Sequence, residues 1–225
     1  MEFNHIQMEL LAKNQLFKGI HKSEISNVLQ CLHSNIANYR KGEIILLSGT
    51  KVHSLGIVID GGIQIVREDA SGNRMMIASL TKGEIFAETF ACGNNDVSPV
   101  SVYANEITTV LWISIKRIVN PCSMVCNFHS SIIMNLLELM AKKNMYLNQK
   151  LELLSKRSLR DKIILFLELE SKKKGSEVIV LSLNRNELAD YLCVDRSALS
   201  RELGRLKKEG LIDFNKNKFK LLQKY

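Results

Sequence analysis

The chain has 225 residues and 25.5 kDa, and 46% hydrophobic residues give it enough apolar material for a core, which excludes the mainly disordered class. Its 31 Lys and Arg against 23 Asp and Glu leave a net charge of +8, but residues 1–155 carry 14 basic and 13 acidic side chains while residues 156–225 carry 17 and 10. Nearly all the excess therefore lies in the last third, which points to an anionic partner for that segment alone. No run of about 18 apolar residues offers a membrane span, and the N-terminus lacks the basic-then-apolar pattern of a secretory signal. Five cysteines, odd in number and scattered at Cys31, Cys92, Cys122, Cys126 and Cys193, fit a reducing cytoplasm better than a disulfide scaffold.

In chain order, residues 4–38 read as weakly helical, on short apolar spacings such as Ile25, Val28, Leu29 and Leu32. From residue 39 to 115 glycines recur between short β-branched runs at 43–47, 55–59, 63–66, 75–80, 100–104 and 108–113, with a polar turn over 68–74. Strands of that length punctuated by turn residues predict a small antiparallel roll.

The period then changes. Ile133, Leu137, Met140, Asn144, Leu147, Leu151 and Leu154 follow one another at steps of four and three, an unbroken heptad seam on one long helix. Such a seam is what a two-stranded coiled coil needs, and Asn144 takes an a-type position where a lone polar residue fixes register. The spacing predicts a homodimer.

After residue 155 come a helix to about 172, a strand at 178–183, a helix over 185–192 and a tight turn at 193–195. A helix over 196–209 ends at Gly210 and a hairpin follows over 211–222. Helix, turn, helix and hairpin in this order predict a winged helix-turn-helix. Asn184 and Glu187 form a capping box for the first helix, and Asp195 caps the second. Leu199, Leu203 and Leu206 face inward toward Leu188, Ala189 and Leu192. Ser197, Ser200, Arg201, Gly204 and Lys208 face the other way, with Arg196 at the edge. Arg and Ser on the first two turns of a helix suit the major groove, where arginine pairs bidentately with guanine. Lys207, Lys208, Lys216 and Lys218 are placed to neutralise phosphates without reading sequence.

These residues resemble the Crp/Fnr (cyclic-AMP receptor protein/fumarate-nitrate regulator) family of bacterial transcription factors over nearly the whole length. The most specific stretch is RNELADYLCVDRSALSRELGRLKKEGLI, 185–212. KGEIILLSG (41–49), VIDGGIQIV (58–66), KGEIFAETF (82–90) and KLELLSKRSLRDKIILFL (150–167) are collinear with it. The resemblance implies an α+β fold with a β-roll effector domain (1–125), a dimerisation helix (126–155) and a winged-helix DNA-binding domain (156–225). It puts Arg196, Ser197, Ser200 and Arg201 on base edges of a palindromic operator in double-stranded DNA and Arg185 on phosphate. It also makes RNA polymerase an expected partner.

Three departures stand out. Cys193 holds the turn position where the family usually has glycine. The family's cyclic-AMP cassette follows a Gly-Glu pair and carries an Arg-Ser pair, and here these read Ala87-Glu88 and Ser98-Pro99. Without that arginine nothing pairs the cyclic phosphate, so the implied effector is a small molecule other than cyclic AMP, lined by Phe86, Glu88, Ser98, Ser101 and Asn148. Cysteine redox at Cys122 and Cys126, haem or gas sensing through one of the scattered histidines, and a regulatory module that does not bind DNA are the alternatives. No catalytic arrangement, metal-ligand motif or phosphate-binding glycine loop occurs, so neither an enzyme nor a metal site is expected, and no cofactor is assigned.

Overall fold

The computed structural model describes residues 3–68, 74–93, 97–120 and 128–222. It divides into two compact units, Met1–Ala141 and Lys142–Tyr225. No helix among the described residues is long and apolar enough to cross a membrane. Cys122 and Cys126, and most of the turn expected at 68–74, lie outside the described residues.

The first unit begins with helix α1 (His5–Lys13), started by a reciprocal box in which Gln7 N donates to Asn4 Oδ1 at 2.9 Å and Asn4 N donates to Gln7 Oε1 at 3.1 Å. Helix α2 (Ile25–Cys31) follows. The expected helical character does not reach residue 38, because His33 turns the chain at φ 49° and Asn35–Tyr39 is strand β1. The helical spacing runs out at Leu32, and from there pairing with a distant strand outweighs local propensity.

Two antiparallel four-stranded sheets form the roll. One has the order β1, β8 (Thr108–Ser114), β3 (Ser54–Asp60), β6 (Ile85–Phe86), and the other β2 (Ile44–Leu46), β7 (Ser101–Ala104), β4 (Gly62–Glu68), β5 (Arg74–Thr81). Strand β3 is buried on both sides, which explains its unbroken apolar run. Val58 joins Val110, Ile63, Val102 and Phe86 between the sheets, while Leu55, Ile57 and Ile59 pack outward with Leu111 and Ile113 against α1, α2 and α4 (Ile115–Val119). Ile132, Leu136 and Leu139, on the first half of helix α5 (Phe128–Ser155), complete that outer core.

In the second unit Leu153, near the end of α5, shares one core with α6 (Leu159–Lys174), strand β9 (Val178–Val180), α7 (Arg185–Leu192), α8 (Arg196–Lys208) and strands β10 (Ile212–Asn215) and β11 (Lys218–Leu221). Strand β11 pairs antiparallel with both β10 and β9, so the wing is a three-stranded sheet. Leu181, just past β9, donates its amide to Asn217 O and accepts from Asn217 Nδ2, both at 2.9 Å, which closes the wing turn onto the sheet.

Candidate nucleic-acid interface

Helix α8 is built from its buried side outward. Leu199, Leu203 and Leu206 are at most 1% exposed and meet Leu188, Ala189 and Leu192 of α7 in the second core. Burying one leucine contributes about 1.5–3 kcal/mol, so this stripe fixes the helix's rotation about its axis. The opposite face carries Arg196, Ser197, Ser200, Arg201, Arg205, Lys207 and Lys208, all exposed.

Both helices are started by side-chain caps. At α7, Asn184 Oδ1 accepts from Asn186 N and Glu187 N at 2.9 and 3.0 Å, and Glu187 Oε2 accepts from Asn184 N at 2.7 Å. At α8, Asp195 Oδ1 accepts from Ser197 N at 2.8 Å, Ala198 N at 3.0 Å and the Ser197 hydroxyl at 2.5 Å. These donors, the hydroxyl first and with Arg201 adding to them, hold the Asp195 carboxyl below its ordinary range. Between the helices Cys193 is left-handed at φ 53°, ψ 53°. Its amide bonds Asp190 O and that of Val194 bonds Ala189 O, a Schellman ending that requires this backbone.

The cations on this face divide by what already holds them. Lys207 is committed, 2.6 Å from Asp213 and donating to Phe214 O at 3.1 Å, and Arg205 lies 3.3 Å from Glu202. Arg196, Arg201 and Lys208 make no hydrogen bond or ion pair with any described residue, and Ser200 makes no hydrogen bond. Arg185 is half-buried: it donates to Lys216 O at 3.0 Å, and its guanidinium lies 5.0 and 4.9 Å from the Phe214 and Phe219 ring centroids. Burial lowers its pKa. This docking of α7 on the wing was missed from sequence, although two aromatics five residues apart on a hairpin are a signal for a cation platform. A second contact gave no such signal. The Lys150 ammonium sits 3.0 Å from the Tyr191 ring centroid and donates to Tyr191 O, and burial lowers its pKa.

The residues expected to line an effector site are interior. Phe86 is 2% exposed, meets Trp112 edge-on at 5.2 Å, and fills the space over Gly56, where an added Cβ would stand 2.4 Å from its ring. Glu88, the first residue of α3 (Glu88–Ala91), is 3% exposed and accepts from Thr89 Oγ1 at 3.2 Å. The Ser98 hydroxyl donates to Val100 O at 2.7 Å, and Ser101 Oγ accepts from Ser48 N at 3.0 Å. Asn148 belongs to the second unit, where its Nδ2 donates to Asn144 Oδ1 at 2.8 Å. Among the histidines, His129 is buried and stacked on Phe128 at 5.2 Å. The described residues contain no cluster of three His, Cys, Asp or Glu able to hold a metal.

On the seam of α5, Leu137, Leu147 and Leu151 are 57%, 57% and 66% exposed, and Asn144 is exposed. Ile133 and Met140 are half-buried against the first core, and Leu154 is half-buried.

Two domain models match the chain in order, a cyclic nucleotide-binding domain over residues 36–122 and a Crp-like helix-turn-helix domain over residues 162–224. No curated protein matches the sequence. Among solved structures, the catabolite activator protein of Thermus thermophilus is 22% identical, with 92% of this chain and 93% of that one covered at a TM-score of 0.55. CprK, solved in complex with OCPA, is 20% identical over 89% and 91% at 0.61. DNR from Pseudomonas aeruginosa is 18% identical over 100% and 97% at 0.51. At these identities the likeness is one of fold.

Proposed function

Because the chain belongs to the Crp/Fnr family, and so is a DNA-binding transcriptional regulator with an effector domain, we propose that it acts as a homodimer reading a two-fold symmetric operator through α8. Arg196, Ser197, Ser200 and Arg201 meet base edges. Lys208, Lys216 and Lys218 meet phosphates, and Arg185 adds to them from the first turn of α7.

The observation that carries this reading is the state of α8's outer face. Arg196 and Arg201 are exposed and make no hydrogen bond or ion pair with a described residue, while the leucines beneath them are fixed in a core. A protein that needed these cations for its own stability would have paired them, as it pairs Lys207 and Arg160. The exposed leucines of the α5 seam, spaced as a heptad around Asn144, support a second copy as the occupant of that face, which makes α5 the dimerisation helix between a sensor (1–125) and a DNA-binding domain (156–225).

The effector is a small molecule other than cyclic AMP. Pro99 supplies no amide donor and no arginine stands beside it, while the Ser98 hydroxyl is committed to the Val100 carbonyl. Activators of the family contact RNA polymerase, and the cytoplasm is where such a protein works.

Selection of bound sequences from a random DNA pool tests the reading. Wild type yields a consensus of two inverted half-sites about one helical turn apart, roughly 34 Å. Arg201→Ala lowers the ratio of operator to random-DNA affinity about 10- to 100-fold at fixed salt, without moving the unfolding midpoint. Equal binding of operator and random DNA by both proteins overturns direct readout by α8.

A further inference from the structure

Two serines lie three residues apart on the exposed face of α8, and the structure gives them different hydrogen-bonding capacities. Ser197 Oγ stands 2.5 Å from Asp195 Oδ1, and that oxygen also receives the amides of Ser197 and Ala198. An ionised carboxylate only accepts, so the single hydroxyl proton of Ser197 must point at Asp195. What Ser197 offers outward is lone pairs alone. Ser200 is exposed and makes no hydrogen bond with any described residue, so its hydroxyl rotates freely to donate or accept.

The major groove distinguishes these two capacities. Adenine N6 and cytosine N4 are exocyclic amines that donate, and guanine O6 and thymine O4 are carbonyls that accept. A side chain able only to accept bonds the amines and faces the carbonyls lone pair to lone pair. We propose that Asp195 and Ser197 form a polarity-locked reader that selects an amino base, adenine or cytosine, at one position of each half-site. Ser200, one turn further on, contributes no amino-versus-keto selection. The proposal rests on α8 being the DNA-reading helix and adds the chemical class of base that one of its residues accepts.

The pair is stable to ordinary conditions. Protonating Asp195 would release the serine, and the three donors on Oδ1 hold its carboxyl below the usual aspartate value, so the lock persists at neutral pH.

The experiment compares consensus sequences selected from one random pool by wild type, Ser197→Ala, Ser197→Thr, Ser200→Ala and Asp195→Ala, each checked by circular dichroism for an intact helical signal. A single ordinary hydrogen bond corresponds to a preference of about 3- to 10-fold. Wild type and Ser197→Thr enrich adenine or cytosine by that factor at one position per half-site. Ser197→Ala flattens that position, and Ser200→Ala leaves it alone. Asp195→Ala frees the serine proton and admits guanine and thymine there. A consensus in which Ser197→Ala changes no position, or flattens one that favoured guanine or thymine, overturns the proposal and leaves α8 as the reading helix. A wild type that enriches no sequence removes the DNA-reading assignment and this proposal together.

Discussion

The polar residues singled out in the two units meet opposite fates. On α8 the arginines and serines stand exposed above a buried leucine stripe, and the Asp195 cap with the Schellman ending of α7 holds them in place. In the roll, Glu88, Ser98 and Ser101 are at most 3% exposed and are bonded to neighbouring side chains or to backbone. A surface that reads DNA must keep its donors available and its scaffold rigid. A pocket for a small molecule must give up internal bonds before it can make new ones, and each buried polar group so exposed costs about 1–3 kcal/mol unless the ligand replaces its partner. In the first unit these groups already spend their bonds internally, while on α8 Arg196, Arg201 and Ser200 stand ready with their donors open.

The largest expected effect tests whether that readiness belongs to a single helix or to a pair. Leu147→Glu combined with Leu151→Glu places two charges on seam positions that are 57% and 66% exposed, so folding of the monomer changes little. Sedimentation then gives the mass of one chain. Operator affinity falls about 100-fold or more, because two linked half-site contacts become independent ones. A dimer surviving both charges sends the pairing to another surface.

A second effect separates the two units. Phe86→Ala removes a ring that packs over Gly56 and against Trp112, which costs about 3–5 kcal/mol in the first unit's unfolding. The selected DNA consensus stays the same. Arg201→Ala has the converse profile, and the two substitutions together dissociate core from reading surface. A loss under about 1 kcal/mol for Phe86→Ala shows that the ring borders an open site, and the contrast between the units then narrows.

How much was legible follows the same division. Caps and stripes within one helix rest on contacts three or four residues apart, and the sequence displays them directly, as at Asn184–Glu187 and Leu199–Leu206. Strand β1 was hidden because its residues continue a helical-looking segment and owe their conformation to β8, some seventy positions away. The Arg185 guanidinium reaches the wing only once β10 and β11 have paired. The burial of Phe86 depends on a glycine thirty residues earlier. Long-range partners of this kind leave no periodic trace.

Two departures from the family pattern fall on left-handed backbone. Ala87 and Cys193 stand where the family has glycine, and both keep a left-handed backbone, at φ 63° and φ 53°. At Cys193 the conformation is imposed by the Schellman bonds of residues 193 and 194, and the thiol itself is exposed. A left-handed L-residue costs about 1–2 kcal/mol, and glycine gives back about 0.4–1 kcal/mol through the greater freedom of the unfolded chain. Cys193→Gly is thus expected to stabilise the second unit by roughly 0.5–1 kcal/mol, a rise of several degrees in its melting midpoint. The DNA consensus should not change, since the caps at Asn184 and Asp195 remain. A melting midpoint that falls instead means the Cys193 side chain makes a stabilising contact.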